Sequence, residues 1–247
     1  MLLIKLICRA TILTSISVSG EIYNYAWKKV QVETDKFVEE VKTELFPKSS
    51  LIQCSNICSA DEDKRLCCLL SDGSCLVSKM IVTPSYKTGS SDVYSCFTEY
   101  RNDLANGAGI YASSQYDSER VKEFLVDGIY SFNRDVFVTK YRPNSWVLLD
   151  LNKEAYIMEV RIFAGSNDHY TPLYFTNIEI RVGNSFINSG DFSSYKLFHH
   201  HSGGAVPRVV MKFVSTSNER GRFISIQQLR DHHFQMGHIE VLGNYVS

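Results

Sequence analysis

Residues 144–163 read NSWVLLDLNKEAYIMEVRIF, and this stretch decides the fold of the longer part of the chain. Two apolar, β-rich runs, at 146–151 and 157–164, lie on either side of a polar interruption. Short runs of this kind, separated by polar residues, are typical of β-strands rather than of helices. We therefore predict two strands within this stretch.

Outward from this stretch, similar runs recur at 175–182, 208–215, 222–229 and 238–242, separated by Gly, Asn, Asp and Ser. Many short strands joined by polar turns predict a mainly β fold, a sandwich or jelly roll, over residues 101–247. This region contains no cysteine, and its length is sufficient for an independent core. The residues expected to be buried are Trp146, Leu148, Val160, Ile162, Ile178, Ile180, Phe223 and Ile239.

Six segments of this region resemble the coagulation factor 5/8 type C (discoidin-like) family, and within it the fucolectins. They occur in the family's order: DLANGAGIYASSQY at 103–116, FLVDG at 124–128, NSWVLLDLNKEAYIMEVRIF at 144–163, FTNIEIRVG at 175–183, RGRFISIQQL at 220–229 and HIEVLG at 238–243. The resemblance implies a galactose-binding-like β-sandwich with its ligand site in loops at one end. It also implies a lectin-like protein whose partners are glycans or glycoproteins.

Fucolectins that bind fucose share the motif H-x26-R-x-D-x4-R/K, in which the His and the two basic residues hydrogen-bond the sugar. An ungapped alignment on VRIF and IEIRVG places other residues at these positions: Val138 at the His, Gly165 and Pro172 at the basic residues, and Asn167 at the Asp. Val, Gly and Pro side chains carry no hydrogen-bond donor. The family's fucose-binding triad is therefore expected to be replaced.

The loop GSNDHYTPLY, residues 165–174, corresponds to a ligand-contacting loop of the family and is rich in polar and aromatic side chains. Tyrosines beside short polar groups suit either sugar stacking or contact with a protein. An ordinary solvated loop is the alternative. The candidate ligand-binding residues are Asn167, Asp168, His169, Tyr170 and Tyr174.

The family's calcium site uses loop carbonyls and carboxylates, and Asp127 in the VDG turn matches one of these positions. The acidic residue before the last strand aligns with His238, and the Asn after DG aligns with Ile129. Calcium takes six or more oxygen ligands, so the resemblance implies at most a weakened calcium site. Otherwise Asp127 is a turn residue that bonds its own backbone.

Residues 48–100 contain six of the seven cysteines, a pattern that predicts disulfides formed in an oxidising compartment. The spacing in LIQCSNIC places two cysteines on one face of a short helix, and the runs CCLL and CLVS around an SDG turn predict a hairpin. We expect the cysteines to staple the helix onto the hairpin. The six are Cys54, Cys58, Cys67, Cys68, Cys75 and Cys96.

The segments LIQCSNIC, CCLL and SDGSCLVS make this module similar to PAN/apple domains, which are extracellular modules that mediate protein or carbohydrate contacts. Six cysteines allow 15 pairings, and the sequence leaves the choice open. If the sandwich has lost sugar binding, this module carries the binding. The protein is then an extracellular protein-interaction or adhesion module.

Residues 1–20 read as a secretory signal peptide, with Lys5 and Arg9 before an apolar run and a small residue at position 20. The protein is accordingly expected to be secreted. Apolar residues in the next segment, 21–47, recur at spacings of three and four from Trp27 to Val41. This spacing predicts an amphipathic helix, which either forms an oligomer through residues 22–46 or docks on the cysteine module.

Several classes of function are disfavoured. A formal net charge of -1 argues against a nucleic-acid partner, and no long uncharged apolar run after position 20 predicts a membrane span. None of the motifs G-x-S-x-G, H-E-x-x-H or the P-loop occurs, so we do not expect an enzyme. A metal site built on His199 and His201 with His232 or His233 is a further hypothesis, less favoured than a solvated polar surface.

Overall fold

The computed structural model describes residues 13–18, 21–34, 43–47, 49–59, 66–78, 82, 91, 93–99, 102–128, 130 and 136–246. The chain divides into two compact units. The described residues up to position 99 belong to the first unit, and those from position 102 onward belong to the second. Each unit is described by itself below.

The first unit contains a six-stranded antiparallel sheet in the order β1-β2-β6-β4-β5-β3. A single helix of the described residues, α1 (Leu51–Ser59), accompanies it. The strands are β1 (Leu13–Val18), β2 (Glu21–Glu33), β3 (Thr43–Phe46), β4 (Leu66–Leu69), β5 (Cys75–Ser78) and β6 (Val93–Glu99).

The amphipathic helix predicted for residues 21–47 is wrong where the structure describes them, because β2 and β3 occupy most of these positions. In β2 the side chains alternate: Lys29 and Gln31 are exposed, whereas Val30 and Val32 are buried. A period of two is that of a strand, and β2 pairs along β6. The proposed helical oligomerisation segment therefore has no basis in the described residues.

Other parts of the predicted N-terminal elements lie outside the described residues. They are positions 1–12 and 19–20 of the signal peptide and positions 35–42 of the predicted helix. The remaining positions of the predicted signal peptide, 13–18, form β1.

Helix α1 begins with a reciprocal cap. The Ser50 N–H donates to Oε1 of Gln53 at 2.8 Å, and the Gln53 N–H donates to Oγ of Ser50 at 3.3 Å. This capping box satisfies two backbone donors that the first turn leaves without partners. It explains why a helix as short as α1 begins at this point.

Three disulfides hold the first unit together, as the cysteine pattern predicted. Cys54–Cys75 and Cys58–Cys67 tie α1 to both strands of the β4–β5 hairpin. The third joins β4 to β6 through Cys68–Cys96, which are direct register partners. The four cysteines that tether α1 form one buried cluster with Val77, so covalent links supplement the apolar packing there.

The second unit is a β-sandwich, which confirms the predicted mainly β fold. Its larger sheet has the order β11-β10-β12-β9-β14, with β7 also paired to β9, and β8 pairs with β13. A 3₁₀ helix spans Lys122–Val126. The other elements are β7 (Gly109–Ala112), β8 (Phe137–Val138), β9 (Trp146–Phe163), α2 (Tyr170–Tyr174), β10 (Thr176–Gly183), β11 (Lys196–Gly204), β12 (Val210–Gln228), β13 (Gln235–Met236) and β14 (His238–Tyr245).

Two long strands organise this unit. The strands predicted at 146–151 and 157–164 belong to one continuous β9, and those predicted at 208–215 and 222–229 lie largely within β12. The polar interruption in β9 is a bend, at which Asn152 adopts a positive φ of 65° and the register against β12 shifts. A long strand can thereby contribute side chains to one core from both of its halves.

All eight residues predicted to be buried are buried, but they lie in two clusters. The main core includes Val160, Ile162, Ile178, Ile180 and Ile239. Trp146, Leu148 and Phe223 instead pack with Phe192 and Tyr195. Since Val147 and Leu149 face the main core, β9 begins with both of its faces covered.

Within the part of the chain that the structure describes, no helix has the length and apolar character needed to cross a membrane.

Candidate functional site

The loop that the sequence singled out, residues 165–174, carries α2 and is held by two of its own polar side chains. Oδ1 of Asn167 accepts hydrogen bonds from the N–H groups of His169 and Tyr170, at 3.0 and 2.8 Å. Oδ1 of Asp168 accepts from Nη1 of Arg208 at 2.7 Å. The structure thus places Asn167 and Asp168 in positions that shape the loop.

The aromatic residues of the same loop contact one another. Tyr170 and Tyr174 stack with their ring centroids 5.2 Å apart and an interplanar angle of 26°. The ring of His169 lies 4.9 Å from that of Tyr170. This leaves a continuous row of rings along one side of α2.

The row continues onto the segment between β12 and β13. The centroid of the Tyr174 ring lies 5.0 Å from that of His232 and 5.2 Å from that of His233. Tyr141, which follows β8, contacts the same two rings at 5.3 and 5.5 Å. Tyr116, which follows β7, contacts His233 at 5.4 Å. Four separate loops therefore bring their rings together.

We call this set of rings the aromatic platform: Tyr116, Tyr141, Tyr170, Tyr174, His232 and His233. Tyr116 is 50% exposed, Tyr141 59% and Tyr170 47%, so much of the aromatic surface faces solvent. A ligand that covers exposed aromatic rings removes apolar surface from water, which is favourable. A group of such rings in one place is therefore typical of a binding surface.

A buried threonine joins the loops that carry the platform. The Thr139 N–H donates to the Phe234 carbonyl, and its Oγ1 accepts from the Phe234 N–H, both at 2.9 Å. The Thr139 carbonyl lies 2.8 Å from Nδ1 of His233. Next to it, the Val138 carbonyl accepts from the Tyr116 N–H at 2.8 Å. The rings therefore stand on a hydrogen-bonded frame, which reduces the entropy that a ligand must remove.

Arginines at the rim of the platform already have partners. Arg120 lies over the Tyr116 ring, 5.3 Å from its centroid, and forms an ion pair with Asp117. Nη1 of Arg142 donates to the Ser113 carbonyl at 2.8 Å. Arg120 is thus paired with a carboxylate, whereas Arg142 keeps its positive charge beside a neutral carbonyl. The platform itself consists of aromatic rings that carry hydroxyl and imidazole groups.

The residues aligned with the fucose-binding triad cannot replace its donors. Val138 is buried within β8, and Pro172 belongs to α2. Gly165 has a φ of +135°, and a Cβ there would meet Nε2 of Gln235 at 2.5 Å. A residue with a donor side chain at position 165 would therefore have a strained backbone conformation and would collide with Gln235.

The predicted calcium position has a different character in the structure. Nδ1 of the fully buried His238 lies 3.5 Å from Oδ1 of Asp127. Burial alone lowers the pKa of His238, but the Asp127 hydrogen bond and the charges of Glu240, Asp127 and Asp103 outweigh it, so the pKa is raised. Among the described residues, no group of three His, Cys, Asp or Glu side chains could hold a metal ion. An imidazole beside Asp127 fits a hard, oxygen-seeking calcium ion poorly.

The histidines of β11 contact residues on other strands of their own sheet. His199 and His201 share a face, as predicted, and both pack on the Phe213 ring, with centroids at 4.9 and 5.9 Å. Nε2 of His200 lies 2.9 Å from Oδ1 of Asn177. The structure shows no convergence of these side chains with His232 or His233 among the described residues.

The sequence singled out Tyr170 and Tyr174 but not Tyr116 and Tyr141. Tyr116 lies at the end of DLANGAGIYASSQY, and Tyr141 lies in a polar turn between β8 and β9. No local periodicity distinguishes these tyrosines from other loop tyrosines. They belong to the platform because strand pairing brings their loops, which are distant in sequence, close together in space.

No protein-family model matches this sequence, and no curated protein sequence matches it either. Among solved structures, an f-lectin (fucolectin) from the serum of Morone saxatilis (striped bass) gives a TM-score of 0.52 at 17% identity, covering 71% of this chain and 58% of that chain. The lectin domain of Lectinolysin in complex with Lewis B antigen gives a TM-score of 0.47 at 16% identity, covering 57% of this chain and 96% of that one. At this level of identity, the likeness to the fucolectin shows a shared galactose-binding-like fold.

Proposed function

We propose that the second unit binds carbohydrate through the aromatic platform. The single observation that carries this proposal is the gathering of four tyrosines and two histidines from four loops, with three of the tyrosines about half exposed. The apolar C–H face of a pyranose packs on such rings, while phenol and imidazole groups hydrogen-bond its hydroxyls. The fold shared with a fucolectin supports the same class of ligand.

The ligand is proposed to be a neutral glycan or the glycan of a glycoprotein. Two of the cations near the loops, Arg120 and Arg208, are paired with Asp117 and Asp168. Arg142 donates to the Ser113 carbonyl, and Arg230 lies near His232. A sulfated or carboxylated sugar would have to compete with these carboxylates. Because the positions of the fucose-binding triad lack donors, fucose specificity of the family's type is not part of the proposal.

The role is proposed to be non-catalytic and extracellular. Recognition requires only the platform, and no reacting side chains need to be invoked. Three disulfides in the first unit are typical of proteins that fold in an oxidising compartment.

The PAN/apple-like module is a second candidate for binding, directed at proteins. The observation in its favour is α1, which two disulfides fix against the β4–β5 hairpin while Ile52 on its surface is 63% exposed. A rigid helix with an exposed apolar side chain suits a protein contact. Ile52→Asp should weaken capture of a protein partner and leave glycan binding unchanged.

A glycan array tests the main proposal. We expect the protein to bind a defined set of neutral glycans, and Tyr141→Ala and Tyr170→Ala each to weaken that binding roughly fivefold, since a stacking contact is worth about 1 kcal/mol. Tyr156→Ala is the matched control, because Tyr156 is 43% exposed on β9 and lies outside the platform. Equal effects of all three substitutions would count against the platform as the binding site.

A further inference from the structure

The two histidines of the platform have fixed tautomers. The backbone N–H of His233 donates to Nδ1 of His232 at 2.9 Å, so that nitrogen carries no proton. Nδ1 of His233 lies 2.8 Å from the carbonyl oxygen of Thr139. A carbonyl can only accept, so Nδ1 of His233 must carry the proton and donate it.

The remaining ring nitrogens consequently have opposite roles. In a neutral imidazole one nitrogen donates and the other accepts, so Nε2 of His232 is a donor and Nε2 of His233 is an acceptor. Among the described residues, no hydrogen bond engages either Nε2 atom. Two polar atoms of complementary character are thus available to a ligand.

Both rings belong to the surface that contacts the proposed ligand. Each lies within 5.5 Å of the rings of Tyr141 and Tyr174, centroid to centroid. Their own centroids are 5.9 Å apart. This places the donor and the acceptor beside the same tyrosine rings.

We propose that His232 and His233 form a donor–acceptor pair that recognises the hydroxyl groups of a neutral pyranose on the platform. A hydroxyl both donates and accepts, so it can satisfy both histidines, either alone or with its neighbour on the ring. A carboxylate or sulfate can only accept, and it would face the lone pair of Nε2 of His233. This inference rests on the proposed function and narrows its ligand to neutral hydroxylated sugars.

The pair works only while both rings are neutral. A proton on Nδ1 of His232 would face the N–H of His233, and a proton on Nε2 of His233 would abolish the acceptor. Burial, His233 and Arg230 lower the pKa of His232 and outweigh Asp231, which raises it. Tyr116, Tyr141 and Tyr174 also contact these rings. Arg142, whose backbone bridges to His232, adds a further positive charge nearby. Binding should therefore be strongest at neutral pH and weaken on acidification.

The test uses the full chain with two sets of probes: methyl glycosides of galactose, mannose and N-acetylgalactosamine, and the corresponding uronic acids of the first two. Affinities are measured by NMR titration between pH 5 and pH 8. We expect the neutral glycosides to bind about tenfold more tightly than the uronic acids, as the loss of one hydrogen bond to a site that needs it implies. Their affinity should fall as the pH is lowered.

Asparagine variants separate recognition from folding. In His232→Asn the amide oxygen can still accept the His233 N–H, and in His233→Asn the amide N–H can still donate to Thr139, but both lose Nε2. Each should lose about tenfold in affinity for the neutral glycosides, whereas the glutamine variants, which keep a polar atom near Nε2, should lose less. His200→Asn, on β11, is the control and should bind as the wild type does.

The outcomes distinguish this inference from the function on which it rests. Glycan binding that depends on Tyr141 but is unchanged by pH and by both asparagine variants overturns the histidine pair and leaves the platform standing. Uronic acids that bind as tightly as the neutral sugars also overturn the pair. Failure of every probe and every array glycan to bind the wild type overturns both.

Discussion

Asp103 pairs with Leu242 of β14 through an isolated bridge, and its carboxylate is largely removed from water. Its Oδ1 accepts from the N–H groups of Ala105 and Val241, each at 2.9 Å. Burial, followed by the charge of Glu240, raises its pKa to about 6. The folded protein therefore binds a proton here at a pH at which the unfolded chain does not.

Asp103→Asn tests this effect. A raised acid pKa makes folding stability fall as the pH rises from about 4 to about 6, by roughly 3 kcal/mol for a shift of this size. Asn keeps an oxygen for both backbone donors without the charge. We expect the variant and the wild type to have the same free energy of unfolding near pH 4, and the variant to have the larger one at pH 7. Urea unfolding at four pH values measures this, and a variant less stable than the wild type at pH 7 would contradict it.

Asp127 and His238 lead to a prediction about calcium. Because a buried imidazole already stands beside this carboxylate, we expect neither millimolar calcium nor a chelator to change the unfolding temperature or glycan binding. A calcium site saturated a hundredfold above its Kd would add about 2.7 kcal/mol of stability, an increase of several degrees. Differential scanning fluorimetry would detect such a rise, which would show that calcium is bound after all.

At this scale the sequence pointed to part of the aromatic platform. Tyr170 and Tyr174 could be picked out because they lie in the loop aligned with the family's ligand contacts. Asn167 and Asp168 have the polarity of ligand-binding residues, yet the structure uses them to cap α2 and to hold Arg208. The sequence shows which hydrogen bonds a side chain can form, whereas the fold determines which partner lies within hydrogen-bonding distance.

Helix α2 packs against the end of β11, and this contact sets the position of two platform tyrosines. A Cβ added at Gly204 would meet the Pro172 carbonyl oxygen at 2.6 Å and its Cα at 3.1 Å. A backbone carbonyl cannot rotate away as a side chain can, so α2 itself must shift. Its neighbour Gly203 has room, since an added Cβ would lie 3.8 Å from the nearest atom of His201.

Gly204→Ala is accordingly expected to move Tyr170 and Tyr174 and to weaken glycan binding by about tenfold. It should also lower the free energy of unfolding by about 1–3 kcal/mol, as overpacking commonly does. Gly203→Ala supplies the control, with little change in either quantity. Isothermal titration and urea unfolding of both variants measure the contrast, and similar results for the two would exclude α2 packing as the cause.

Some elements could be predicted from sequence and others could not. Strands β9, β10 and β12 are apolar and lie inside the sheet, so their sequence pattern reflects their buried environment. Strand β14 lies at an edge, but its first four residues are buried as well. Strand β11, at the other edge, is polar with three consecutive histidines, and most of its residues are exposed. In β2, helical spacing and strand alternation both fitted the apolar residues, and only pairing with β6 decides between them.

The whole chain combines two units stabilised in different ways. The first relies on three disulfides whose cysteines are all buried, whereas residues 101–247 contain no cysteine. Reduction should therefore destabilise the first unit by several kcal/mol, given that removing one native disulfide costs about 2–5 kcal/mol. The second unit should be unaffected.

Calorimetry with and without a reducing agent measures this difference. We expect the transition of the second unit to keep its temperature and the transition of the first to move down or disappear. Glycan binding should survive reduction if the platform alone is responsible. Loss of binding under conditions that leave the second unit folded would assign recognition to the cysteine-rich unit instead.

The openness of the platform has a consequence for how a ligand is held. With Tyr116, Tyr141 and Tyr170 about half exposed, a sugar bound as proposed would contact the platform from one side. Such a contact accepts a residue in the middle of a long polysaccharide as readily as one at its tip, and it releases that residue quickly. Durable attachment to a glycan-covered surface would then depend on several molecules binding that surface together, so that each rebinds before it diffuses away.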